Sequence, residues 1–366
     1  MIPQSKGQVS RQAHVGIPAG TYEDEHGREA FAGRASHLYR THPPTAWVRI
    51  EGPLRPHALD LNEIEGGDEA GWVRILGNAR CRIYTYKPTE APSYYLRDAD
   101  GDVCYFVHKG SGTLETDYGP LEFEAGDYLI VPKGTTHRPV PKTKDNFLLV
   151  IEGSGEYSIP DRGLMGKHAQ FDPGVLVTPE PDPRDDKGEF EVRVKRDEDY
   201  TSLFFQWHPL DVVGWQGDLC PVKLNVRDYR PVMSPRYHMP PSAHATWAND
   251  GFAICTFAPR PLEEDPEVLR VPFYHANIDN DEVLFYHSGE FFSRPGIGVG
   301  KLTLHPQGIH HGPQPAAIEA SKAKDRTEEV AVMVETEDPL EVSDEAMKVR
   351  DDAYELSWAR GMGLID

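Results

Sequence analysis

The sequence predicts an all-β fold made of two copies of one strand-rich module, and three observations predict it. The first is the density of short β-rich runs. Thirty-three Gly and 32 Pro cut the 366 residues into short pieces, among them YYL, VCYFVH, DYLIVP, NFLLVIEG, FAICTFAP, EVLFYH, KLTLHP and EVAVMVE. Short strands separated by turn residues at this frequency point to a sandwich or barrel rather than to alternating strands and helices. The second observation is an internal duplication. The third is the scarcity of helical patterns: a few short helices at most, the clearest near the C-terminus in SDEAMKVRDDAYELSWARG. There Ser343 can act as the cap, with Ala346 standing where a capping box would place an acid.

The duplication is read from two motifs. GDYLIVPKGTTHRP places Gly126, Pro132, Gly134 and His137, and GKLTLHPQGIHHGP places Gly300, Pro306, Gly308 and His311. Both run Gly, Pro, Gly, His at the same intervals. Upstream of each lies an aromatic strand ending in His-x-Gly, with His108 and Gly110 in YFVHKG and His287 and Gly289 in LFYHSG. The stretch DPGVLVTPEPDPRDDKGEF, rich in Pro and charge, reads as the connection between copies. It divides the chain into residues 1–175, an N-terminal arm with the first copy, and residues 176–366, the second copy.

Composition excludes several classes. The length allows each copy its own core, so neither disulfides nor a metal is needed for folding alone. Four scattered cysteines with no C-x-x-C pair argue against a disulfide framework, a zinc ribbon or a thioredoxin-like motif, and read as buried free thiols. A formal charge of -21 repels a phosphate backbone, so nucleic acid is not an expected partner. No apolar run is long enough for a membrane helix, and MIPQSKGQVSRQAH lacks the pattern of a secretory signal. These features predict a cytoplasmic protein with no membrane partner.

The second copy carries the candidate chemistry. YHANIDNDEVLFYHSG supplies His275, Asn277, Glu282 and Gly289, and PQGIHH supplies His311. These residues resemble the two motifs of the cupins, with Asn277 in place of a second histidine, which implies two jelly-roll barrels in a bicupin arrangement. His275 and Asn277 share one face of a strand, whereas Glu282, seven residues on, would point away if the strand ran unbroken. The turn formers of IDND can reset that phase. Two imidazoles and one carboxylate then hold a metal on one side and leave the opposite positions open, the arrangement of non-haem Fe(II) oxygenases. Sliding the first copy by the offset that superposes Gly110 on Gly289 sets Val103 opposite Glu282 and Leu96 opposite His275. Only His137 remains of the triad, so the first copy is expected to be degenerate and structural.

HPLDVVGWQGDLCPVKLNV, at residues 208–226, resembles a segment of the homogentisate 1,2-dioxygenases. GREAFAGRASHLYRTHPP, FAICTFAPRP, VPFYHANIDNDEV and the His305 and His311 pair ending in HGP extend the likeness, in order, over most of the chain. The resemblance implies an Fe(2+) enzyme that inserts O2 into an aromatic substrate and opens its ring to a maleyl-type product, in the breakdown of tyrosine and phenylalanine. It implies His275, Glu282 and His311 as iron ligands, His238 of RYHMPPS as general base with His244 as its rival, His305 as a further active-site histidine, and a homo-oligomer. Phe291 stands where the family carries a substrate-binding tyrosine. Arg294 or Arg236 is therefore a candidate to hold a substrate carboxylate, and the substrate is homogentisate or a related hydroquinone or gentisate-like acid. His287 and His310 are assigned to core packing or to support of the ligands. Two other readings stay open on the motifs alone: a metal-dependent isomerase of the same fold, and a bicupin that binds without catalysis.

Overall fold

The structure, a computed structural model, describes residues 4–67, 70–270, 273–291 and 296–366. It is all-β, with one three-stranded, one seven-stranded and two six-stranded sheets and only short helices, the cupin-type architecture that the sequence predicts. Each of the eight β-rich runs forms a strand. In the first half these include Tyr95–Asp98, Asp102–Lys109, Asp127–Val131 and Phe147–Gly153. In the second they include Phe252–Phe257, Asp281–Ser288, Lys301–His305 and Val330–Thr336. The duplicated glycines have matching backbones: Gly110 and Gly289 have φ of 92° and 90°, a region open to glycine at little cost.

The two halves exchange strands. His57–Asp60 adds to the edge of the second-half sheet beside Lys301–His305, and Tyr22–Gly27 pairs in parallel with Tyr274–Asn277. In return Glu341–Val342 pairs with Trp72–Gly77 of the first half. The stretch read as a connection leads straight into a hairpin, Lys187–Arg196 and Asp199–Trp207, which pairs with Tyr95–Asp98. Val222–Asn225 also joins the first-half sheet, beside Asp127–Val131. Hydrogen bonding in the first-half sheets thus continues some fifty residues past the boundary expected near residue 175.

The C-terminal helix predicted over residues 343–361 is broken into three pieces: Asp344–Lys348, a 3-10 turn at Tyr354–Leu356, and Ser357–Gly361. Ser343 does cap the first, its Oγ accepting from Ala346 N at 3.1 Å. The break has a tertiary cause. Asp60 N donates to the Val349 carbonyl at 3.0 Å and Asp351 N to the Ala58 carbonyl at 2.9 Å, so the exchanged strand takes up backbone groups that a continuous helix would need. A further helix, Pro315–Lys322, follows the His311 loop. Among the described residues no helix is long and apolar enough to cross a membrane, and all four cysteines are buried and free.

The largest core lies where the two halves pack face to face, around Phe106, Leu149, Phe285, Val283 and Val332. At its centre the equivalent residues His108 and His287, separated by 179 positions, meet through their Nδ1 atoms at 2.9 Å. Each ring also meets the other copy's phenylalanine edge-on, His108 with Phe285 and His287 with Phe106. His287, assigned from sequence to packing or support, is thus a core residue. Burial, with smaller effects from His287, Lys109 and Lys87, lowers His108 to about 3, and burial lowers His287 to about 4. Both rings are therefore neutral at pH 7, one Nδ1–H donating to the other.

The linkage has a definite sign. A neutral folded pair competes with unfolded imidazoles that protonate near pH 6.5, so its contribution is whole above that pH and declines as pH falls toward 4. At about 1.4 kcal/mol per unit, His287 alone accounts for on the order of 3 kcal/mol over that window. Urea unfolding at pH 7, 5.5 and 4 should show the wild type losing at least this much more stability than the double variant His108→Leu/His287→Leu. Parallel pH curves for the two proteins would refute it.

Candidate metal centre

Three elements bring the predicted ligands together. Strand Tyr274–Asn277 carries His275 and stops at a bend over residues 278–280, and the chain resumes as Asp281–Ser288, which opens with Glu282. The phase is reset where IDND predicted it. Asp281 secures the restart: its carboxylate accepts from Gln307 N and Leu340 N, both at 2.8 Å. His311 arrives from a turn in which Ile309 N donates to the Pro306 carbonyl and Gly308 takes φ of 78°. His275 and His311 then exchange backbone hydrogen bonds, both at 2.9 Å, which holds their side chains next to each other.

Glu282 Oε2 lies 3.4 Å from His311 Nε2 and 3.8 Å from His275 Nε2. The far nitrogens are anchored, His275 Nδ1 donating to the Phe273 carbonyl at 2.8 Å and His311 Nδ1 to the Ile309 carbonyl at 3.2 Å. That fixes the tautomer, with the Nε2 lone pairs turned toward Glu282. His275 Nε2 is buried and makes no hydrogen bond, which is costly unless something else takes up the lone pair. Burial alone would raise Glu282, but the surrounding imidazoles, His311 foremost and then His275 and His305, hold it well below the usual carboxylate range. Burial together with Glu282 pushes the neighbouring Glu335 up to about 8. The donor set, two imidazoles and an ionised carboxylate, suits a divalent transition metal with open positions.

His305 does not face the cavity. It is fully buried, stacked on His311 with ring centroids 4.4 Å apart. Its Nδ1 lies 2.9 Å from Glu282 Oε1 and its Nε2 2.8 Å from the Tyr354 hydroxyl. Those contacts orient the carboxylate rather than a group in the cavity.

Beside the triad opens a cavity of about 980 Å³, counted to its open mouth, whose walls include Met233, His238, His244, Arg260, Phe273 and Met333. His238 Nδ1 donates to Glu263 Oε1 at 2.8 Å, which leaves its Nε2 as an acceptor. His244 also lines the cavity but is buried, and that burial, aided by Arg260 and His238, keeps it well below its ordinary value. Its Nδ1 has no hydrogen-bond partner, so nothing orients it as Glu263 orients His238.

The other predicted substrate contacts fall differently. Phe291 is packed edge-on against Tyr286 in a cluster with Ala331 and is not among the described residues of the cavity wall. A buried phenyl ring gains more from that apolar cluster than from a polar mouth. Arg294 lies outside the described residues. Arg236 is exposed, 3.6 Å from Asp265. Among the described residues the arginine that lines the cavity is Arg260, its guanidinium 3.7 Å from Glu329 Oε1 and over the Phe257 ring, with Nη1 buried and making no hydrogen bond. It sits within the FAICTFAPRP segment, where its charge amid apolar residues was the available signal.

The first copy makes the contrast expected of it. Leu96 pairs with His137 across the sheet, as His275 does with His311. His137 is satisfied by the Tyr105 hydroxyl at 2.8 Å and the Thr135 carbonyl at 3.0 Å, and Val103 packs in the same core as Leu96 and Tyr105. The acidic group Asp98, Asp100 and Glu152 in that half is occupied by Lys195, whose Nζ lies 2.6 Å from Glu152 and 2.7 Å from Asp100.

Comparison with known proteins matches residues 70–226 to the family model "Homogentisate 1,2-dioxygenase N-terminal" and residues 238–362 to "Homogentisate 1,2-dioxygenase C-terminal". A "Putative dioxygenase" of Saccharolobus solfataricus is 35% identical over 359 residues, covering 92% of each chain. The homogentisate 1,2-dioxygenase of Bradyrhizobium diazoefficiens is 27% identical over 75% of this chain and 64% of its own length. That of Rhizobium etli is 26% identical over 79% and 68%. Among solved structures, protein Ylba from E. coli aligns at a TM-score of 0.37 and 9% identity, covering 80% of this chain and 95% of its own.

Proposed function

Given that the chain belongs to the homogentisate 1,2-dioxygenase family, we propose that it is an Fe(II) enzyme that cleaves the ring of homogentisate or a closely related hydroquinone acid. The observation that carries this reading is the buried His275 Nε2, which makes no hydrogen bond and faces an ionised Glu282 beside His311. Iron(II), which His275, Glu282 and His311 would hold, would supply the redox chemistry that couples a phenolate to O2.

The protein's own part is orientation and proton transfer. His238, held by Glu263, takes the proton of the substrate hydroxyl as it nears the metal. Phe273, Phe257 and Met333 enclose the ring and keep bulk water from it. Arg260 receives the carboxylate, its buried Nη1 gaining the charge-assisted hydrogen bond it otherwise lacks. Glu329 keeps that guanidinium at the cavity wall.

The test is oxygen uptake by protein loaded anaerobically with ferrous iron, with ultraviolet absorbance following the ring-opened product. Homogentisate or a related para-diphenolic acid should be consumed with one O2 each; no product from any such acid would sink the proposal. Arg260→Ala should raise KM for the acid and lower kcat/KM by about 10-fold to 100-fold, the loss of a charged hydrogen bond worth about 1.5–3 kcal/mol. The same variant should treat the methyl ester of the acid much as the wild type does. Equal losses on acid and ester would assign Arg260 a purely structural role.

A further inference from the structure

A second group of side chains has the donors and spacing of a metal site. Strand Tyr22–Gly27 turns alternate residues to opposite faces. On one face Glu23 and Glu25 meet His14, with His14 Nδ1 2.6 Å from Glu23 Oε1 and His14 Nε2 3.3 Å from Glu25 Oε2. Although burial opposes it, hydrogen bonding to Glu23 and Glu25 raises His14 to about 9, so that group is closed by its own proton.

The opposite face is different. His26 Nε2 and His310 Nε2 are 3.2 Å apart, and each lies 3.2 Å from the same oxygen, Asp24 Oδ2. Ligand atoms about 2.0–2.1 Å from a tetrahedral cation are separated from one another by about 3.3 Å, so this triangle has the edges of a coordination polyhedron. Asp24 is fully buried, and its Oδ1 has no hydrogen-bond partner. Arg40 Nε also contacts Oδ2, at 2.5 Å, and so shares the carboxylate's charge. The histidines are 30% and 25% exposed, which provides an entry path and room for water as a further ligand.

We propose that Asp24, His26 and His310 bind a divalent cation of the zinc class, separate from the centre formed by His275, Glu282 and His311. Two imidazoles and one carboxylate are borderline donors suited to zinc, and a metal reconciles two imidazole nitrogens that otherwise point at each other. The site joins two distant parts of the chain: Asp24 and His26 come from the exchanged N-terminal strand, and His310 precedes the ligand His311. A cation there clamps the loop of His311 to strand Tyr22–Gly27 and stabilises the folded state by mass action. The inference does not depend on the substrate or on the reaction at the other centre.

The experiment is metal stoichiometry after chelator treatment, zinc loading and desalting, with full-length protein throughout. Wild type should retain two zinc ions per chain, Glu282→Gln one, His26→Ala one, and the Glu282→Gln/His26→Ala double variant none. Zinc should raise the melting temperature of Glu282→Gln and leave that of the double variant unmoved. Should His26→Ala fail to fold, His310→Asn carries the same expectations. Retention by His26→Ala or His310→Asn of as much zinc as the wild type, or loss of all zinc from Glu282→Gln, would overturn the proposal.

Discussion

Glu282→Gln is expected to reduce ring cleavage to background while leaving the fold intact. Glutamine has the same shape and can keep a contact with His305, but it carries no charge and coordinates a divalent metal poorly. The site is built around that charge: two Nε2 atoms face Glu282 within 3.8 Å, and no hydrogen-bonding group replaces a metal at His275. Iron affinity, measured by competition with a chelator under anaerobic conditions, should fall by more than about 100-fold, beyond the range typical for residues that only support a ligand. His305→Ala is the internal comparison. It removes the orienting hydrogen bond but not the ligand, so its loss should stay within about 10-fold to 100-fold. Full activity in Glu282→Gln, with iron retained, would remove the triad from the chemistry.

His238→Asn is expected to lower kcat by about 10²-fold to 10⁴-fold, the usual worth of a positioned general base, with KM and iron content little changed. His244→Asn should cost less than about 10-fold by the same argument. The geometry distinguishes these two cavity histidines. His238 has a carboxylate, Glu263, holding its Nδ1 proton and presents an acceptor to the cavity. His244 is held neutral by burial and has no partner at Nδ1, so no group stabilises the cation it would become on taking a proton. Steady-state kinetics with iron-loaded protein decides between them, and the reverse order of effects would make His244 the base.

Much of this was legible in the residues. The eight apolar runs form strands because their burial needs no long-range information beyond alternation and length. The meeting of His275, Glu282 and His311 was readable because a turn in IDND and a Pro-x-Gly turn before His311 are local devices with local sequence signs. The N-terminal strand was not readable. YEDEHG contains no aliphatic residue, yet Glu23, Asp24 and Glu25 are buried, which is tolerable only because His14, His37, His310 and Arg40 come from elsewhere to meet them. The hairpin that starts at Lys187, at the end of the stretch read as a connection, was not readable for a related reason. It is an edge element with a charged, largely exposed surface, as edge strands often have, and Phe204 and Trp207 are also exposed on it. The C-terminal helix broke where strand His57–Asp60 claims its backbone, and Arg260 gains meaning only once the cavity exists around it.

The exchanged strands also set an order of events during synthesis. When residues 22–27 and 57–60 leave the ribosome, their partners Tyr274–Asn277 and Lys301–His305 are still more than two hundred residues from being made. The first barrel can close early, because nearly all of its strands are neighbours in the chain, whereas Tyr22–Gly27 and His57–Asp60 must wait for their partners in the second half. The cavity beside His275 and Glu282, walled by residues from 232 to 333, is therefore completed only once the second half has been made. A metal held by His275, Glu282 and His311 would therefore find no finished seat on the chain before the second half is made.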